Sequence, residues 1–219
     1  MIRFLDVCCA DLEGVTFEVV TGECTRVALA SAETRSALVR ALLGLERPRA
    51  GHALLLEHEV TACPPAQART LLARTGVVWA GGGLVSNLQV GNNLLLPFAY
   101  HHGRPGPEVE ARARALCEVL GLETSDAALG RLPAELSPTE RCLAGVVRAW
   151  LTDPEVMIYE GVLDGLATDR ARGVAEVVCA RHCRGPTTLW LTADDRAPQP
   201  AMAALALRQE GHRLVEGAP

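Results

Sequence analysis

Short apolar runs dominate the first eighty positions of the chain. Residues 2–7, 15–20 and 25–30 read as strands, and the turn Thr21-Gly22-Glu23 closes the later two into a pair. Leu38, Ala41, Leu42 and Leu45 then recur at helical spacing across 36–45, until Gly44 and Pro48 end the pattern. A strand at 52–56, a helix at 66–73 and a buried strand at 76–79 follow. Between 84 and about 150 the spacing turns helical, with a break at 101–107. Beyond it, compact apolar strands at 156–159 and 188–192 flank a helix at 169–181. The tail predicts two strands, near 204–208 and 212–216, around Gln209-Glu210-Gly211. Early strands, then strands alternating with helices, predict an α/β fold with an antiparallel β arm. The chain reads as a single domain, with a core at about 1–83 and 151–219 and an inserted helical subdomain at about 84–150. No internal repeat interrupts it, and 126–133 is the nearest thing to a hinge.

Composition narrows the function classes. Aromatics make up only 4% of the 219 residues, so the core rests on Leu, Val and Ala. A net charge of −5 argues against nonspecific nucleic-acid or anionic-lipid binding. No apolar run approaches the roughly 18–20 uncharged residues of a membrane span. The N-terminus lacks the shape of a signal peptide, and the expected place is the cytoplasm, at the inner membrane only through a partner. Of the eight cysteines, only Cys179 and Cys183, with His182 between them, form a cluster. Zinc sites usually need two such ligand pairs, so no metal site is expected and buried thiols are the reading. All 21 basic residues are arginine, which excludes any mechanism that needs a lysine.

The segment 25–45, TRVALASAETRSALVRALLGL, resembles the strand, phosphate loop and helix of ABC-transporter ATPases. The resemblance extends over nearly the whole chain in the family's order. Residues 74–102 look like the glutamine-loop region, 136–150 like the signature helix and 153–166 like the Walker B strand. Residues 189–195 look like the switch-histidine segment, and 209–217 like the terminal hairpin. Gly91-Asn92-Asn93-Leu94-Leu95-Leu96-Pro97 is most similar to the ATPase subunits of Mce-associated lipid transporters. The resemblance implies an ABC-type P-loop NTPase-like core, ATP and magnesium as ligands, a homo- or heterodimer with another ATPase subunit, and a permease partner.

The residues that carry the family's chemistry differ here. The loop Leu29-Ala30-Ser31-Ala32-Glu33-Thr34 has no glycine where backbone approaches phosphate. Glu33 adds a carboxylate, whose repulsion of a phosphate charge costs roughly 4 kcal/mol at ~4 Å and an effective dielectric near 20. Arg35 stands at the lysine position and Ser36 at the magnesium-binding hydroxyl. Two readings of Arg35 stand: a solvated helix residue, or with Ser36 a vestigial anion site at a helix N-terminus. Glu160 replaces the magnesium-organising aspartate and Gly161 the catalytic glutamate. Leu136-Ser137-Pro138-Thr139-Glu140 replaces the signature LSGGQ. Ala193 replaces the switch histidine, Ala80 the glutamine, and Cys8-Cys9-Ala10-Asp11 offers no aromatic for adenine. Gly81-Gly82-Gly83 lacks a basic neighbour and reads as a flexible turn.

These replacements lead to the expectation of a pseudo-ATPase with no cofactor, or ATP and magnesium held only weakly. Its role would be structural or regulatory, docked on a permease for lipid transport. Two alternatives are a diverged ATPase that still binds nucleotide through Arg35 and Ser36, and a soluble interaction protein outside transport. Partner docking is expected at 79–100, with Trp79, Asn92 and Tyr100 as contacts, although Trp79, ending a buried strand, also reads as core. Leu94, Leu95, Leu96 and Pro97 form an apolar patch there, and Val146, Val147 and Trp150 share one helix face.

Overall fold

The computed structural model describes residues 1–164, 166–182, 185–193 and 203–217, without the side chains of 181 and 182. In chain order the elements are β1 (Ile2–Cys9), β2 (Leu12–Val19), β3 (Cys24–Ala28), α1 (Ala32–Leu42), β4 (Ala50–Leu55), α2 (Pro65–Ala73), β5 (Thr75–Val78) and α3 (Val90–His102). There follow α4 (Pro107–Val119), α5 (Asp126–Leu129), α6 (Pro138–Trp150), β6 (Val156–Glu160), α7 (Thr168–His182), β7 (Thr187–Thr192), β8 (Ala203–Glu210) and β9 (Arg213–Glu216).

Two sheets organise them. A three-stranded antiparallel sheet has the order β2-β1-β4, and a six-stranded sheet has the order β5-β6-β7-β3-β8-β9. The larger sheet is parallel from β5 to β8, with β9 antiparallel at its edge. This corrects one expectation. Thr21-Gly22-Glu23 closes no hairpin, because β2 pairs with β1 while β3 lies between β7 and β8. The turn carries the chain from one sheet to the other, and Thr187 Oγ1 accepts from Gly22 N–H at 3.0 Å. β3 is buried at every position, because both faces of the parallel sheet are covered, whereas β2 alternates buried and exposed.

One apolar cluster joins the small sheet and α1 to one face of the large sheet, through Phe4, Leu38, Leu42, Ile158 and Leu189. Another joins α3, α4, α6 and α7 to the opposite face, through Leu94, Leu116, Val147, Trp150, Tyr159 and Trp190. Trp150 Nε1 donates to Tyr159 Oη at 2.7 Å, and the Tyr159 ring meets Trp190 with centroids 4.6 Å apart. Among the described residues no helix is long and apolar enough to cross a membrane.

Candidate functional site

Four segments meet at the carboxyl ends of the parallel strands, where ligands of open α/β sheets usually bind. The first is the β3–α1 loop. Ser31 caps α1 by accepting from Thr34 N–H at 3.2 Å, which serves one of the helix's unpaired amides. Thr34 Oγ1 in turn donates to Asp11 Oδ1, and Gln209 Nε2 donates to Asp11 Oδ2 at 3.0 Å. The Thr34 and Gln209 hydrogen bonds hold the Asp11 carboxyl below the usual carboxylate range. Asp11 thus ties the loop to the β1–β2 turn and to the β8–β9 hairpin. Glu33 is exposed in the first turn of α1, so its charge is free to stay in water.

Arg35 is not a solvated helix residue. It is 4% exposed, with Nη1 donating to the carbonyls of Leu29 at 2.5 Å and Ala30 at 3.2 Å. Its Nη2 lies 2.7 Å from Asp164 Oδ2. This pair is close but poorly aligned: neither Arg35 Nε nor Asp164 Oδ2 has a hydrogen-bond partner among the described residues. Apolar periodicity on α1 and the loop's own carbonyls draw the arginine inward, a pull that a motif comparison does not register. Asp164 Oδ1 accepts from Ala193 N–H at 3.2 Å, which brings in the segment after β7. Ala193 is therefore held by its backbone; the neighbouring Asp194 lies outside the described residues.

Ser36 Oγ donates to Glu160 Oε1 at 2.7 Å, and Ala80 N–H donates to Glu160 Oε2 at 3.1 Å. Glu160 is 2% exposed and ends β6, so it links α1 to the segment after β5. Ser36 and Glu160 supply the hard oxygen donors that a magnesium ion takes, and both fit that role by type. The Arg35 fork suits phosphate oxygens in charge and geometry, but its donors are turned onto the loop carbonyls and Asp164. Gly161 has φ +61°, and a Cβ there would lie 2.9 Å from Asp164 Oδ2. Beside these groups a cleft of about 420 Å³ opens between Asp11, Ala30, Ser31, Ala193, Arg208 and Gln209.

The remaining sequence candidates lie on the helical side. Leu136 is buried, and Ser137 and Glu140 form a capping box: Ser137 Oγ accepts from Glu140 N–H, and Glu140 Oε2 from Ser137 N–H at 2.7 Å. Pro138 takes the first helical position, where its missing donor costs nothing, and Thr139 is half-buried in that first turn. Those Ser137 hydrogen bonds and Arg131, 3.2 Å away, hold the Glu140 carboxyl below its ordinary range. Gly81-Gly82-Gly83 is no loose turn. A Cβ on Gly82 would run into the Arg141 carbonyl, and a Cβ on Gly145 would lie 2.5 Å from Gly82 O. Arg148 clamps the same loop, donating to Gly83 O at 2.7 Å and Gly82 O at 3.2 Å.

Trp79 is half-buried at the end of β5 and packs against the cluster around α1. Asn92 is exposed, and Tyr100 is 69% exposed and meets His101 edge-on. Of the apolar patch, Leu94 is buried while Leu96 is 38% exposed; Val146, Val147 and Trp150 are all buried. The sequence assigns no role to the neighbour of Asn92. Asn93 is fully buried, accepts from Val85 N–H at 2.7 Å and donates to Leu88 O at 2.8 Å, which anchors the turn before α3.

The family model described as ABC transporter matches residues 12–160. A protein named methionine import ATP-binding protein MetN from Caulobacter vibrioides is 30% identical over 208 residues, covering 94% of this chain and 61% of that protein. The protein of the same name from Cereibacter sphaeroides is 29% identical, over 95% of this chain and 58% of its own length. The chain thus spans about three-fifths of these relatives. Nod factor export ATP-binding protein I from Paraburkholderia xenovorans is 29% identical, over 95% of this chain and 66% of its own. In fold, the chain is similar to the bacterial ABC transporter cassette MJ0796, solved as a dimer, with TM-score 0.84 at 16% identity over 98% of this chain and 96% of that one. These relatives overturn the expectation of a pseudo-ATPase serving lipid transport: they are named as ATP-binding proteins of methionine import and Nod factor export. With the family model spanning more than half of its length, this chain belongs to the ABC transporter family as an ATP-binding domain.

Proposed function

We propose that the chain is an ATP-binding subunit of an ABC importer for a small amino-acid-like solute such as methionine. One observation carries the reading: the similarity to methionine import ATP-binding proteins runs through 94% of the chain. Arg35 would meet the phosphates, and Ser36 with Glu160 the accompanying magnesium. The subunit would pair with a second ATP-binding subunit and sit on a membrane permease, and the dimeric cassette that shares the fold supports that assembly. Asn92 and Tyr100, exposed on α3, are the proposed docking contacts, together with the half-buried Trp79.

The test is uptake. Deleting the gene should lower uptake of radiolabelled methionine, and the tagged chain should co-purify with a permease. Asn92→Glu and Tyr100→Glu should release the chain from the permease without lowering its own melting temperature. Undiminished methionine uptake, with no membrane protein recovered, would overturn the reading.

A further inference from the structure

Asp164 lies in the block 153–166 but carries no role that the resemblance implies, yet it touches two of the segments that form the site. We propose that Asp164 is a positioning residue that holds Arg35 inward, its carboxylate being the internal anion that nucleotide phosphate displaces on binding. The proposal rests on the reading that this site takes ATP.

Three features of the geometry support it. First, the Arg35–Asp164 pair is incomplete. Its atoms approach to 2.7 Å, but Arg35 Nε and Asp164 Oδ2 make no aligned hydrogen bond among the described residues, although Arg35 is 4% exposed. Buried polar atoms are rarely left so, and an arginine fork prefers two parallel bonds to one anion. A phosphate oxygen pair would satisfy the Nε–Nη2 edge that the carboxylate leaves unmet.

Second, the room for Asp164 comes from Gly161. The carboxylate lies where a side chain at 161 would begin, 2.9 Å from the ideal Cβ position. The glycine in place of the family's glutamate and the arginine in place of its lysine are thus joined through one carboxylate. Two replacements that look independent in the sequence form one contact in the fold.

Third, the same carboxylate accepts from Ala193 N–H through its other oxygen. Displacing it from Arg35 would free Asp164 to move and with it the backbone of Ala193. Arrival of phosphate at one strand end would be felt at another through a single side chain.

The test compares the wild-type chain with Asp164→Asn in calorimetric titrations of Mg-ATP and of inorganic triphosphate, with melting curves confirming that each variant is folded. Removing the internal anion should tighten both ligands by roughly tenfold or more. Arg35→Gln in the Asp164→Asn background should abolish that gain. Structural damage alone would weaken binding, so the sign of the change separates the two. Gly161→Ala, which crowds the same carboxylate from the other side, should also tighten binding, and it replaces Asp164→Asn if that variant does not fold. Equal or weaker affinity in the folded variants overturns the proposal, as does absence of binding in wild type and variants alike. A wild type that binds ATP with no gain in the variants sinks only the role of Asp164. A gain without any effect of gene deletion on uptake sinks only the importer reading.

Discussion

Two buried arginines divide the molecule into a region that is closed and one that is left open. Arg148, 9% exposed on α6, spends its donors on the carbonyls of Gly82 and Gly83, and burial pushes its pKa down. Around it the backbones of Gly82 and Gly145 are in close contact, and the inner turns of α6 are buried on all sides. Arg35, more deeply buried still, faces a carboxylate that it meets at poor angles, with Nε unpartnered among the described residues. The same side chain type is a finished structural clamp in one place and an unfinished contact in the other. Full satisfaction marks the scaffold, and incomplete satisfaction marks the mouth where the strands end.

That contrast can be broken most severely at Gly82. It has φ +86°, and an added Cβ would strike the Arg141 carbonyl, so Gly82→Ala should cost about 3 kcal/mol or more in chemical denaturation. Gly81→Ala is the control: the backbone is also left-handed, but nothing lies within 4 Å, so only about 1–2 kcal/mol should be lost. Arg148→Met comes next. It strips two carbonyls of their donor in a buried place, and a loss of about 2–3 kcal/mol is expected in the same assay.

On the open side the effects on stability should be smaller. Ser36→Ala removes one hydrogen bond to Glu160, which keeps Ala80 N–H, so about 1 kcal/mol should be lost while Mg-ATP affinity falls more clearly. The smallest effect is a pH dependence at Asp11. Its folded pKa lies below the ordinary 3.8, so its stabilising contribution is complete above pH 3.8 and is lost as pH falls through the depressed folded value. Asp11→Asn should therefore melt lower than wild type near neutrality, and the gap should close in acid. A gap that does not change with pH would show that the Thr34 and Gln209 bonds do not depend on the charge.

How far the chain can be read without its structure varies by region. In 136–140, Ser-Pro-Thr-Glu is a helix start by local chemistry alone, and the capping box is legible from four consecutive residues. The triple glycine is the opposite case. Its sequence suggests looseness, and only the approach of α6 shows that the missing side chains serve packing.

The residues at the expected motif positions are a third case. Their identities led to a silent site, a conclusion that relatives named as ATP-binding import proteins overturn. A residue type at a motif position says which donor or charge is present and nothing about the partner that orients it. Ser36 and Glu160 are 124 positions apart, and Arg35 meets a carboxylate from beyond β6.

The sequence by itself determined the elements, the α/β class and the family. Those depend on apolar periodicity, turn residues and collinear blocks, which act over a few neighbours or along the chain's own order. Only the tertiary structure decided that Thr21-Gly22-Glu23 changes sheets, that Arg35 points inward and that Asp164 meets it. Each of these follows from which distant segments share a strand end, because burial forces a charge toward whatever partner the fold brings near.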